Sequence, residues 1–420
     1  MRVIKLLCLT LLALAIASGA FFWLRDEPPS AEVQAWLQQI QARPAQSAAY
    51  LFLAGLDAPP RHSPAALGES RLRAYQSWLA QHGPAQGFTP APQAQLALPA
   101  GAAFCAIEAG ACFASLRQRQ QELPALLAEH AALLGRYRHF LRLDDYHTLS
   151  APGMAEPMPP LPYLMRGQQL LSLQALQQAL SGNGPAALAL LAEDQAGLRR
   201  QLARADHLVL KMGLVSMLNR NLEWQVRLYR QGWLPRPAPI APLSQAERSL
   251  VAAMQREFLL GKVMLENLRE EDIPALLEEA SLLFEYKPQM TINASLGLYQ
   301  AIGQGSEVTP AGFAQLLKLG SGPQVPYTGL RNRIGNILLS IANPDFVDFV
   351  GRVMDLDSKI KLANLSFQLA PGLVGAEQLA TLADAGNPYE AAQRPFLDKQ
   401  GRLCFEGPLP QKDFGRCVQL

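Results

Sequence analysis

Charge is scarce in this chain of 420 residues: Lys and Arg total 37, Asp and Glu 35, together 17% of the sequence, and the net charge is +2. No dense run of Lys or Arg occurs. The clustered basic surface that neutralises phosphates is therefore missing, and no nucleic-acid partner is expected. Histidine (6), cysteine (5) and aromatic residues (7%) are sparse too. Familiar catalytic signatures are absent: there is no Gly-x-Ser-x-Gly elbow, no phosphate-binding Walker loop, no dinucleotide glycine fingerprint and no His-Glu-x-x-His helix. These absences weaken the case for an enzyme without removing it, because triads assemble in space rather than in sequence. No cofactor is expected.

What the sequence does have is one long apolar run at its start. Arg2 and Lys5 form a basic flank at residues 1–5, and residues 6–24, from Leu6 to Leu24, carry no charge before Arg25, Asp26 and Glu27. As a helix the run is about 28 Å long, close to the thickness of a bilayer's hydrocarbon core. The preceding positive charge predicts a single pass through a bacterial inner membrane, with the N-terminus in the cytoplasm and the bulk in the periplasm. A cleaved signal peptide is the rival reading. Ala15-Ile16-Ala17 and Ser18-Gly19-Ala20 offer small residues to a peptidase, but the run continues through Phe21, Phe22, Trp23 and Leu24. Both readings export the rest of the chain. Cys8 lies too early in the run for a lipid attachment site.

The cysteines agree with export. Beyond Cys8, four remain as two local pairs, Cys105 with Cys112 and Cys404 with Cys417. An oxidising periplasm would join them, and short loops close most readily, with about 2.5 and 3 kcal/mol of stabilisation in the loop-entropy model. Four reduced, buried cysteines are the alternative. Zinc fits poorly, since neither pair has knuckle spacing or a neighbouring histidine.

Periodicity predicts helix after helix. Ser30 can cap a first helix carrying Val33, Trp36, Leu37 and Ile40 on one stripe. Others are expected at about 48–56, 64–81, 112–143 (broken near Pro124), 166–182, 185–203, 205–231, 243–271 and 274–286. The last third continues at 291–303, 309–319, 328–342, 344–369 and 375–384. The segments 83–103, 151–162 and 234–242, rich in Pro or lacking periodicity, are candidate internal breaks in a periplasmic helical domain spanning 25–386. Strand signals come only in the tail, 387–420, where 395–398 and 402–406 flank a turn and read as a hairpin. The fold expected is all-α, a multi-helix array or bundle with an N-terminal transmembrane helix and a small C-terminal β-hairpin. No convincing repeat is found, so a tetratricopeptide solenoid is a minority reading.

Two polar groupings stand out. His139, Asp144, Asp145 and His147 offer imidazole and carboxylate ligands for a divalent ion, although their spacing matches no ligand motif, and a capped helix end explains them as well. Asp345, Asp348, Arg352, Asp355 and Asp357 form an acidic helix face that could meet a cation or basic partner, or simply water.

Three stretches carry a resemblance: Ala49-Tyr50-Leu51-Phe52-Leu53-Ala54-Gly55-Leu56; Ile341-Ala342-Asn343-Pro344-Asp345-Phe346 with Asp355-Leu356-Asp357; and Asn387-Pro388-Tyr389 leading to Gly401-Arg402-Leu403. Together they resemble uncharacterised proteobacterial membrane-anchored helical envelope proteins, a likeness that implies no chemistry. The function expected is a non-catalytic, membrane-anchored periplasmic scaffold or protein-binding module with an envelope protein as partner. The alternatives are a periplasmic hydrolase with an unrecognised site, which requires a deep pocket lined by convergent His, Asp, Glu or Ser, and an immunity or chaperone-like envelope protein.

Overall fold

The computed structural model describes residues 2–91, 93–107, 110–268, 286–320, 331–341, 346–372, 378–379, 382, 384–410 and 415–420. Helices dominate it, as the periodicity demands. Several begin where a Ser, Thr or Asn side chain can accept from the first turn, some with proline in that turn. Ser30 caps α2 (Ala31–Gln41), Ser47 caps α3 (Ala48–Ala54), Ser63 caps α4 (Pro64–His82), and Asn183 caps the later helix Gly184–Arg204. Ahead of these runs α1 (Arg2–Leu24), whose segment Leu6–Leu24 has a mean hydropathy of 2.2 and no residue buried against the body. It is long and apolar enough to cross a membrane.

α3 and α4 form a hairpin whose backbones touch. A Cβ at Gly55 would lie 2.0 Å from the Pro64 carbonyl oxygen, and one at Gly68 would lie 1.9 Å from that of Leu51. Only glycine permits that approach. The chain continues through α5 (Gly110–Gln118), α6 (Leu123–Glu129), α7 (Ala131–Arg142), α8 (Leu161–Leu180), α9 (Gly184–Arg204) and α10 (Leu208–Arg230). α10 is buried over most of its length, packed against α8, α9 and α12 (Val251–Glu266), against the later helix α16 (Val347–Gln368), and against the last strand. One apolar core runs from Val33 to Val418, taking in residues on both sides of 83–103, 151–162 and 234–242.

The long helix expected over 243–271 is instead two. α11 (Gln245–Arg248) opens with a capping box between Ser244 and Glu247, and α12 starts afresh at Val251. The cause lies outside the segment: buried Lys211 draws the Ser249 carbonyl to its ammonium at 2.6 Å, and the Leu250 amide donates to Ser306 at 2.7 Å. Those groups are thereby removed from the helical ladder. The expected helix 274–286 lies outside the described residues except at its end, and 375–384 lies largely outside them. α13 (Pro288–Glu307), α14 (Pro310–Lys318), α15 (Arg333–Ile341) and α16 complete the helices.

The tail goes beyond a hairpin. β1 (Phe396–Leu397) pairs antiparallel with β2 (Arg402–Cys404), and β3 (Cys417–Gln419) adds a third strand, with Leu403 opposite Val418 and Cys404 opposite Cys417. Both local cysteine pairs lie at disulfide distance, with Cys105–Cys112 at 1.98 Å and Cys404–Cys417 at 2.06 Å between sulfurs.

Several charged groups inside the core meet opposite charge. Glu223 on α10 accepts from Arg227 at 3.0 Å, faces the Lys359 ammonium at 3.5 Å, and takes the Gln419 amide of β3 at 3.2 Å. Glu223→Ala removes the buried carboxylate that Arg227 and Lys359 both face, so urea denaturation should show a loss of about 3–5 kcal/mol. A loss below about 1 kcal/mol, the range of exposed pairs, would mean that these charges reach water.

Candidate functional site

A cleft of about 830 Å³ opens between the α3–α4 hairpin, the start of α8 and segments without regular structure at 84–91, 93–96 and 151–160. The volume falls in the range of small-molecule sites. Its walls are aromatic and proline-rich: Tyr50, Tyr75, Phe88, Tyr146 and Tyr163 with Pro90, Pro157, Pro159, Pro160 and Pro162.

Extended chain has no internal ladder, so side chains hold these walls. Tyr163 donates to the Leu96 carbonyl at 2.8 Å, and the Leu96 amide donates to Asp57 O at 2.7 Å. Tyr75 donates to Ala151 O at 3.0 Å, and the Met154 amide to Pro84 O at 2.9 Å. At the rim Arg71 grips Asp57 through both carboxylate oxygens, at 2.5 and 2.9 Å, and reaches Ala54 O at 2.7 Å. Deeper in, Arg256 binds Glu156 and the Ser150 carbonyl, and Ser150 donates to Glu156. Asp206, 2% exposed, gathers Thr148 through its amide and hydroxyl (2.7 Å to the latter) and Arg43 at 2.8 Å.

Electrostatics follow from burial. The Asp57–Arg71 and Glu156–Arg256 pairs leave the walls with little net charge. Burial raises Glu156 above the usual carboxylate range against the pull of Arg256, and it raises Tyr75 to about 12. His207, 7% exposed at the head of α10, is lowered to about 4, first by burial and then by the Arg256 charge; its Nδ1 is buried with no hydrogen-bond partner. The cleft thus presents rings, prolines and a neutral imidazole.

The residues singled out in the sequence lie elsewhere. Asp145 accepts the Ala48 and Ala49 amides at 2.5 and 3.0 Å and so caps α3, while the His147 ring nitrogens sit on the carbonyls of Pro44 (2.6 Å) and Asp145 (3.2 Å). His139 packs its ring on Phe52 at 4.6 Å, and Asp144 is exposed. Among the described residues, three ligand atoms of His, Cys, Asp or Glu approach within 4.8 Å only at Asp398, Cys404 and Cys417, where the sulfurs are bonded to each other. The four residues 139, 144, 145 and 147 therefore do not converge as metal ligands.

The acidic face is not a single surface. Asp355 is buried, held by Arg416 at 3.0 and 3.1 Å and by the Tyr389 hydroxyl at 2.6 Å. Asp357 is also buried, accepting the Leu243 amide at 2.6 Å, with Arg248 at 3.5 Å. Both are raised by burial. Asp348 and Arg352 are half-buried, the latter 5.8 Å from the Phe349 ring centroid, and Asp345 lies outside the described residues. Sequence reading missed the cleft because its parts come from six separate stretches. The proline cluster at 157–162 was the one available signal. No family model, curated protein or solved structure matches this chain.

His207 gives the site a pH signature. Its folded value, about 4, lies below the unfolded value near 6.5, so its contribution is complete above pH 6.5 and is lost as pH falls toward 4. The gap corresponds to about 3 kcal/mol. Asp194, raised by burial to about 6, acts in the opposite sense between pH 3.8 and 6 and masks part of the slope. His207→Gln should therefore make stability rise less between pH 4 and 6.5 than in the parent chain. Parallel curves for the two proteins, read by denaturant titration at each pH, would contradict a buried neutral imidazole.

Proposed function

We propose that this chain is a non-catalytic binding module of the bacterial envelope, anchored by residues 6–24 in the inner membrane, with its N-terminus in the cytoplasm and its helical body in the periplasm. The apolar, unburied α1 supports the anchor, and cysteine pairs at disulfide distance suit an oxidising compartment. The 830 Å³ cleft carries the binding reading. Its two ion pairs are internally matched, so the occupant that fits is uncharged and largely apolar, with a flat or proline-like body and one hydrogen-bonding edge. An envelope protein offering such a segment is the partner class we propose.

A hydrolase also needs such a cleft, and Glu156, His207 and Asp57 do line it. The two carboxylates are committed elsewhere. The Thr148 hydroxyl donates to Asp206, Arg256 neutralises Glu156, and Arg71 occupies Asp57. None of the described hydrogen bonds joins a hydroxyl to His207, so the nucleophile–base contact that marks covalent catalysis is missing.

Two measurements test this reading. With alkaline phosphatase fused to the C-terminus, cells should show phosphatase activity, and a green fluorescent protein fusion should stay dark; the reverse pattern would remove the periplasmic placement. A photo-crosslinking residue in place of Gln93, which lines the cleft, should yield a protein-sized adduct in irradiated cells. The adduct should vanish when Ala74→Trp fills the cleft at unchanged thermal stability. Equal crosslinking from an outward position such as Arg61 would refute occupancy of the cleft.

A further inference from the structure

We propose that a second surface, formed by α15 and the end of α12, rests on the lipid headgroups of the bilayer that α1 crosses; the inference depends on α1 lying in that bilayer. The foot of α1 is tied to the body by polar contacts between residues far apart in sequence. The Lys287 ammonium donates to the last carbonyls of α1, Trp23 at 2.7 Å and Leu24 at 2.9 Å, where the helix dipole favours a cation. Asp26 in turn accepts the Gln289 and Met290 amides at 2.8 and 3.0 Å, capping the start of α13. Arg331 binds Glu27 at 2.7 Å and the Arg25 carbonyl at 2.9 Å. The start of α13 and the approach to α15 are thus fixed where the chain leaves the membrane.

Three elements meet at that level. α15 begins two residues after Arg331 and is only about 13 Å long, so all of it stays near the exit point. Asn332 holds it to the first turn of α13 through Thr291 at 2.9 Å, and Tyr286 donates to Leu265 O at 3.0 Å, bringing the end of α12 to the same place. Here Ile334 forms an apolar cluster with Leu268, Tyr286, Ile337 and Leu338, separate from the main core. Beside it Ile341 is 65% and Met264 47% exposed. Exposed Arg25 and Arg333 flank these side chains, and Arg333 has no ion-pair partner among the described residues. Apolar side chains ringed by cations are what a helix resting in an anionic headgroup layer presents. Continuity with the anchor selects lipid over a protein partner as the occupant.

The test uses the full chain in nitroxide-lipid bilayers, with Cys8→Ser removing the one free thiol among the described residues. An environment-sensitive fluorophore is placed by Leu12→Cys in α1, by Ile341→Cys in α15, or by Leu319→Cys as control. Leu319 is 69% exposed and follows α14, and the adjacent Lys318 faces Glu390 of the C-terminal tail at 3.9 Å. Quenching at 341 should match that at 12 and exceed that at 319 by at least about twofold. Quenching at 12 with none at 341, or equal quenching at 341 and 319, overturns the second contact and leaves the anchor standing. No quenching at 12 overturns the anchor itself. Should Ile341→Cys misfold, Met264→Cys reads the same surface.

Discussion

The constraint on which the rest of the structure depends is the burial of most of α10, in which Val209 alone is exposed. A helix exposed along one side can turn its polar residues to water, but this one carries Lys211, Asn221, Glu223, Arg227 and Arg230 into the interior. Each buried polar group left unmatched costs more than a matched pair returns, so each must find its partner within the protein. Those partners come from distant parts of the chain. Asn221 and Gln168 converge on Asp194, as does the Tyr137 hydroxyl. Lys211 takes the carbonyls of Leu202 and Ser249, and Arg230 takes those of Leu369 and Ala370. Apolar packing alone would tolerate slippage of α8, α9 and α16 around α10. The buried polar contacts admit one register.

The same logic extends outward to the cleft. Asp206 and His207 sit at the head of α10, so the rigid core positions both the hub that binds Thr148 and Arg43 and the imidazole that lines the site. Arg256, from α12, then fixes the segment 150–156 through Ser150 and Glu156. Two walls without secondary structure are thereby tied to regular elements by charged and phenolic side chains. The disulfides serve similar places: Cys105–Cys112 closes the end of the long segment after α4, and Cys404–Cys417 secures a sheet of very short strands. Covalent and charged ties occur where the backbone ladder is thin.

Much of the architecture was legible from local rules. Ser30 and Pro44, the glycine-and-proline punctuation, and the three-and-four spacing of Leu208, Met212, Val215 and Leu218 each reflect forces acting within a few residues, which is why helix positions and the paired cysteines could be read. Ser249 shows the limit, since its break is imposed by Lys211, some forty residues earlier in the chain. Asp145 and Asp355 show it from the other side. Adjacent polar residues looked like a site, yet one serves as a helix cap and the other as a buried counter-ion to Arg416. Sequence proximity reports shared backbone, whereas ligand chemistry requires convergence in space, and Tyr50, Tyr163 and His207 converge only after three helices have folded.

The contacts at the foot of α1 bear on how a cleft in the body would be presented to a partner. A flexible linker would let the body tumble above the bilayer, and a binding site on it would sample all orientations. Here the segment between α1 and the first body helix is short, from Arg25 to Ser30, and much of it is engaged: Asp26, Glu27, Pro28 and Ser30 all bond to α13 or to Arg331. Lys287 is 3% exposed and gives its ammonium to the end of α1 itself. Buried, charge-assisted hydrogen bonds of this kind are costly to leave unmade, so bending at the junction is opposed by the loss of several at once. α1 and the body then form one mechanical unit, and with α1 in a bilayer, as proposed, the height and direction of the cleft above it would follow from the fold rather than from diffusion about a hinge.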